Sequence, residues 1–300
     1  MKSKTFFLWL LLFFLFLPFG AKGARLSQEQ ILQRIEIVQQ EMKVLQSLLS
    51  SMQTANQGAR ITAHSYLAVN LSDNSILMKQ NANRPYPVAS ITKLMTAVIA
   101  FEELDLDQKI TLTEEMLKPD GYSPSLYLGL TVSTEDLLKA TLIQSTNDAA
   151  EALSCFLGKE KFVALMNQKA KELNMTRTVF YDAHGLNPAN QSTVKDLTRL
   201  LIYIYKNHPE ILNISRNNNF WLPDSTGKLL KFRNLNSFYP LSNFIGGKIG
   251  YLFEARQTFA SLFNVKDNVV AVIMLRSDNY RVDAFSILNR LQASLNRRQP

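Results

Sequence analysis

Tyr86-Pro87-Val88-Ala89-Ser90-Ile91-Thr92-Lys93-Leu94-Met95-Thr96-Ala97 reads as a loop feeding a helix that opens near Ser90. Residues three apart on a helix share a face, so the Ser90 hydroxyl and the Lys93 amine can touch. A serine is a weak nucleophile until a base takes its proton, and a lysine serves as that base only when burial or a second cation lowers its pKa. Free N–H groups at the helix start, with the favourable dipole, let the Ser90 amide help hold a negative oxygen. A serine three residues before a lysine also arises by chance in a chain of 300 residues, so the pair needs company.

Two further stretches supply it. Thr134–Ile143 looks helical, capped by Ser133 or Thr134 with acids in its first turn, and a second helix from about Asp148 to Leu157 stops near Gly158. Ser145-Thr146-Asn147 lies on the short connection between them, where side chains can project into a cleft; a plain helix cap is the bland alternative. Ser145 could pass protons toward a leaving group, and the Asn147 amide could bind a substrate carbonyl. Downstream, Gly246-Gly247-Lys248-Ile249-Gly250-Tyr251 precedes two β-like segments, Thr258–Asn264 and Asn268–Leu275. Lys248 is the candidate second cation, and a strand along the cleft edge would present it with the Tyr251 N–H. Glycines within a strand mark places where a ligand backbone comes close. A phosphate loop would need Ser or Thr where Ile249 stands and glycine where Ser242 stands.

In order and spacing, Ser90-Ile91-Thr92-Lys93, Ser145-Thr146-Asn147 and Lys248-Ile249-Gly250 resemble the penicillin-recognising serine enzymes. The flanks are most similar to the low-molecular-mass D-alanyl-D-alanine carboxypeptidases, from about Ala63 to about Arg290. Tyr181-Asp182-Ala183-His184-Gly185-Leu186-Asn187-Pro188 and Ser192-Thr193-Val194-Lys195-Asp196-Leu197 look like that family's loop and following helix. The resemblance implies Ser90 as the acylated nucleophile, Lys93 as its general base, and Ser145 as a proton relay with Lys248. It further implies that Asn147 holds the stem-peptide amide, that Ile249, Gly250 and Tyr251 lie on the substrate-binding strand, and that the N–H groups of Ser90 and Tyr251 form the oxyanion hole. The implied reaction attacks the D-Ala-D-Ala bond of a peptidoglycan stem peptide, expels the terminal D-alanine and hydrolyses the acyl-enzyme. β-Lactams would trap that intermediate, and no cofactor or metal takes part.

Two positions depart from the family. Ile249 replaces a threonine whose hydroxyl helps bind the free carboxylate of substrate or penicillin; losing that hydrogen bond costs roughly 1.5–3 kcal/mol, about tenfold to a hundredfold in kcat/KM. Arg256 stands where glycine is usual, and the expectation is that its guanidinium reaches the cleft and partly replaces the lost contact. Ile249 could instead select a substrate without a free terminal carboxylate, such as a cross-linked peptide, making the protein a D,D-endopeptidase. The reading from another class is a non-catalytic wall-binding scaffold that kept the fold and cleft.

The expected fold is α+β, a mainly antiparallel sheet flanked by helices, β-lactamase/transpeptidase-like and preceded by an N-terminal heptad helix. Strands near Ala63–Val69 and Ser75–Gln80, a helical middle from Ser90 to about Lys206, strands around Lys248–Leu275 and a last helix from about Val282 give that pattern. Four segments are expected: a signal peptide at 1–23, a heptad-patterned helix at 24–53, a linker at 54–61 and the catalytic domain at 62–300. Lys2, Lys4, the apolar run Phe6–Phe19 and Ala21-Lys22-Gly23 suit a leader cut after Gly23, with an uncleaved anchor as the alternative. Either places the domain outside the cytoplasm, in a periplasm or on the outer face of the membrane. Ile31, Ile35, Val38, Met42, Leu45, Leu49 and Met52 alternate steps of four and three, a heptad seam suited to a homodimer through residues 31–52.

Composition is that of a folded domain, with 46% hydrophobic and 19% charged residues. The net charge of +8, or +5 without Lys2, Lys4 and Lys22, suits an anionic wall or membrane surface, and no basic–aromatic clustering argues for nucleic acid. Cys155 is the lone cysteine and reads as a buried thiol. His64, His184 and His208 lack metal-ligand spacing, so no metal site is expected; a loop role suits His184.

Overall fold

Strands from the two ends of the catalytic region meet in one sheet. The computed structural model describes residues 28–119 and 126–296 of the chain, so the expected signal peptide lies outside the described residues. Helix α1 covers Gln28–Asn56, β1 covers Ser65–Asn70 and β2 covers Ile76–Gln80. The two-residue strand β3 (Tyr86–Pro87) leads through a 3-10 turn at Ala89–Ile91 into α2 (Thr92–Glu103). Strands β4 (Lys109–Thr111) and β5 (Thr131–Ser133) pair, followed by α3 (Thr134–Ile143), α4 (Asn147–Leu157) and α5 (Lys159–Glu172). After β6 (Gln191–Ser192), which pairs with β3, come α6 (Val194–Asn207) and α7 (Pro209–Arg216). The hairpin β7 (Asn219–Pro223) and β8 (Leu229–Arg233) precedes β9 (Phe244–Leu252), β10 (Arg256–Val265), β11 (Asn268–Ser277) and α8 (Tyr280–Asn296).

The main sheet has the order β2-β1-β11-β10-β9 with every pair antiparallel. Its strands alternate sides with period two. Ala260, Leu262, Ile273 and Leu275 join the large core that includes α2, α3 and α6 side chains. Phe259 and Phe263 face the other way, into a cluster with Phe238, Phe244, Tyr280 and Phe285. Burial on both sides explains why β10 and β11 read as almost unbroken apolar runs. Phe285, Leu288 and Leu291 of α8 are buried, so this helix packs on the sheet. The buried Asp283 carboxylate accepts hydrogen bonds from Thr62 N at 2.8 Å, Ala63 N at 2.9 Å and Ser277 Oγ at 2.6 Å. That ties the start of the domain to its last helix.

Residues up to Val44 and from Leu45 onward form separate units. In the first, Ile31, Leu32 and Ile35 are exposed. In the second, α1 buries Leu48, Ser51 and Ala55, one stripe of the helix, while the seam residues Leu45, Leu49 and Met52 stay exposed. The helix also runs to Asn56, three residues into the expected linker, because Ala55 is buried and Asn56 Oδ1 accepts from Asn289 Nδ2 at 2.8 Å. Cys155 is half-buried rather than buried, and burial with the nearby Glu151 pushes its thiol up to about 11.

Candidate active site

The 3-10 turn and α2 bring Ser90 and Lys93 together by local geometry, since residues three apart nearly eclipse on a 3-10 turn. Lys93 Nζ lies 3.0 Å from Ser90 Oγ, 2.7 Å from Asn147 Oδ1 and 2.6 Å from the His184 carbonyl oxygen. Lys93 is fully buried. Burial, then the Lys248 charge, hold its pKa well below the ordinary lysine value, with Asp182 pulling the other way. A neutral amine carries two N–H donors and one lone pair. Asn147 Oδ1 and His184 O take the two donors, which leaves the lone pair for the Ser90 proton.

The other wall is β9. A Cβ on Gly250 would lie 2.7 Å from both Ser90 N and Thr258 Oγ1, so only glycine lets the strand come this close to the Ser90 amide. This corrects the expectation for the glycines as a set. Cβ atoms on Gly246 and Gly247 would strike Leu212 and Ser261, so those two serve packing inside the protein rather than a ligand. Lys248 is buried beneath the cleft with Nζ 3.3 Å from Ile249 O, and burial lowers its pKa to about 7. Ser90, Ser145, Asn147, Ile249, Gly250 and Tyr251 all line one cleft of about 420 Å3. Ser145 reaches it from a left-handed backbone position, φ +61°, at the turn between α3 and α4. Thr146, the N-cap of α4, makes no side-chain capping hydrogen bond, so helix capping does not account for this tripeptide. Capping by Ser133, in contrast, is present as expected, with Asp136 N donating to its hydroxyl.

Arg256 does not reach the cleft. Its Nη1 sits 2.6 Å from Asp278 Oδ1, and it lines a neighbouring cavity. The guanidinium that lines the cleft belongs to Arg281, whose Nε donates to Ser237 Oγ at 2.7 Å, beside Leu235 and Tyr280. No local motif marks these residues; α8 and the β8–β9 connection deliver them. Sequence reasoning named the loop Tyr181–Pro188 but gave it no role behind Lys93. Asp182 accepts from His184 N, Gly185 N and Asn187 N, and Asn190 accepts from Tyr181 N. These bonds aim the His184 carbonyl at Lys93. A Cβ on Gly185, at φ +86°, would lie 2.0 Å from Ala89 O, so glycine lets this loop press on the turn that carries Ser90. The stretch Tyr181–Pro188 was the available signal.

Behind the site, Asp148 is buried with Oδ1 lacking a hydrogen-bond partner, and burial, then Glu151, push its carboxyl up to about 6. A raised carboxyl pKa stabilises the fold at low pH, and that contribution disappears as pH rises through about 6. Asp148→Asn should therefore gain about 1–2 kcal/mol at pH 8, with the gain shrinking below pH 6. Urea unfolding of both proteins at pH 5 and pH 8 checks this; a pH-independent difference would contradict it.

A cleft-lining serine beside a buried lysine, at the edge of an antiparallel sheet, defines the class of active-site serine peptidases that work without histidine. Within that class the chain belongs to the D-alanyl-D-alanine carboxypeptidase family, whose model matches residues 51–278. It is 36% identical over 194 residues to a D-alanyl-D-alanine endopeptidase of Escherichia coli (strain K12), covering 61% of this chain and 60% of that protein. A Haemophilus influenzae protein of the same description is 31% identical over 223 residues, covering 72% and 76%. The match thus spans less than two thirds of the E. coli protein. Among solved structures, penicillin-binding protein D2 of Listeria monocytogenes in its cefotaxime-bound form aligns with TM-score 0.68 and 28% identity, over 78% of this chain and 98% of that one. A D-alanyl-D-alanine carboxypeptidase of Mycobacterium tuberculosis H37Rv aligns with TM-score 0.74 and 25% identity, over 80% and 94%.

Proposed function

We propose that the chain is an exported serine D,D-peptidase acting on peptidoglycan stem peptides, with removal of the terminal D-alanine as its reaction. The observation that carries this is the buried Lys93 amine, its two donors occupied and its lone pair facing Ser90. Ser90 Oγ attacks the carbonyl carbon of the penultimate D-alanine while its proton passes to Lys93. The N–H groups of Ser90 and Tyr251 hold the oxyanion. The C–N bond breaks, the departing amine takes a proton relayed by Ser145 and Lys248, and water then hydrolyses the ester to restore Ser90. A site outside the cytoplasm suits this substrate.

A D,D-endopeptidase is the second reading. Ile249 lines the cleft with an apolar side chain, which suits a leaving group without a terminal carboxylate, and the E. coli and H. influenzae relatives are described as endopeptidases. In a cross-link the scissile amide nitrogen belongs to a neighbouring stem's side chain, which has no carboxylate beside it when that residue is lysine. Intact-mass analysis after penicillin treatment, with the adduct mapped by proteolysis, tests the shared chemistry. An adduct on Ser90 supports it; no adduct overturns it in favour of the scaffold. Pairing of two copies through residues 31–52 is a separate proposal, supported by the exposure of Leu45, Leu49 and Met52. It expects concentration-dependent sedimentation that deletion of residues 26–53 abolishes, and a monomer at high concentration contradicts it.

A further inference from the structure

Beside the cleft lies a larger cavity of about 650 Å3, lined by Tyr251, Phe253, Glu254, Arg256, Arg276 and Asp278 among others. It adjoins the active site, since Tyr251 and Gln257 line both. Its aromatic wall is open to solvent, with Tyr251 67% and Phe253 87% exposed. Arg256 and Arg276 both have left-handed backbones, φ +52° and +58°, an uncommon conformation for a long side chain. Arg256 pairs with Asp278, and Arg276 Nη1 donates to the Glu254 carbonyl at 3.1 Å.

The position of the cavity relative to the scissile bond follows from the proposed function, on which this inference rests. The leaving group lies at Ile249 and the scissile carbonyl oxygen at the Tyr251 N–H, so the acyl side of the substrate runs on past Tyr251 toward Phe253. The residue before the penultimate D-alanine in a stem peptide is a diamino acid. Its side chain ends in an amine alone, as in lysine, or in an amine and a carboxylate, as in diaminopimelate. Two guanidiniums and two carboxylates line the cavity, a balance that favours neither a net cation nor a net anion. A zwitterion can meet one group of each sign. We propose that this cavity is the subsite for the diamino-acid side chain, and that its paired charges select a zwitterionic, diaminopimelate-type terminus over a lysine-type amine. A glycan strand fits less well, because the sugar joins the stem several residues upstream while the cavity starts beside the scissile carbonyl.

Calorimetric binding to the Ser90→Ala protein tests this without turnover. The probes are L-Ala-γ-D-Glu-X-D-Ala-D-Ala with X as meso-diaminopimelate or lysine, and the former carrying its disaccharide. The expected result is roughly tenfold tighter binding of the diaminopimelate peptide. Arg276→Asn and Arg256→Asn, chosen because asparagine tolerates φ above zero, should cut that ratio to below about threefold while changing lysine-peptide affinity less than about twofold. Equal affinities, no measurable binding, a ratio that survives both replacements, or a gain seen only with the disaccharide would each overturn it. The penicillin adduct on Ser90-intact protein reports separately on the peptidase chemistry, so failure of the subsite and failure of the proposed function are distinguishable.

Discussion

Glutamine in place of Lys93 lowers the rate of penicillin acylation about a thousandfold, the size of effect expected when a positioned general base is lost. Glutamine can still donate to Asn147 Oδ1 or the His184 carbonyl, but it has no lone pair basic enough to take the Ser90 proton. The pH profile separates lost basicity from disturbed packing. In the wild type, burial and the Lys248 charge favour the neutral amine, so the rate should climb with pH and level off well below the ordinary lysine pKa. The residual rate of Lys93→Gln should show no such limb. Removing the Lys248 charge with Lys248→Gln should move the wild-type limb to higher pH, because one of the two influences depressing Lys93 is gone. Stopped-flow acylation between pH 5 and pH 10 reads all three proteins. A Lys93→Gln rate within about tenfold of wild type would show that another group takes the proton.

What could be read from the sequence divides along the range of the interactions involved. The Ser90–Lys93 contact is local, three residues along one turn, and residue spacing alone predicts it. The α3 and α4 boundaries were legible for the same reason, through the Ser133 cap and Gly158. The approach of β9 to Ser90 is set by strand pairing across β9, β10 and β11. Motif order therefore suggested that approach, while the reason for Gly250 emerged only from its distance to Ser90 N. The Arg256 expectation failed on a backbone angle. At φ +52° it enters β10 with its side chain toward Asp278 rather than along the cleft. Arg281, distant in sequence from every motif, lines the cleft because α8 starts beside the end of β11. The heptad pattern was legible too, but periodicity does not show which stripe a helix buries; Leu48, Ser51 and Ala55 are buried, while the seam residues Leu45, Leu49 and Met52 are exposed.

Ile249→Thr should raise kcat/KM on a stem pentapeptide with a free terminal carboxylate by about tenfold to a hundredfold, the equivalent of roughly 1.5–3 kcal/mol for one hydrogen bond to a charged group. Both residues are β-branched, and Ile249 is half-buried on β9 opposite Phe259, so the strand should keep its pairing and the effect should appear in binding and rate rather than in stability. The same replacement should change turnover of a dimer cross-linked through a lysine side chain by less than about threefold, because that leaving amine has no carboxylate beside it. Wild type favouring the dimer, with Ile249→Thr favouring the pentapeptide, would make Ile249 the residue that sets this protein toward endopeptidase action. Wild type already efficient on the pentapeptide, with no gain from threonine, would mean that the Arg281 guanidinium on the same cleft supplies the carboxylate contact, and the carboxypeptidase reading would stand.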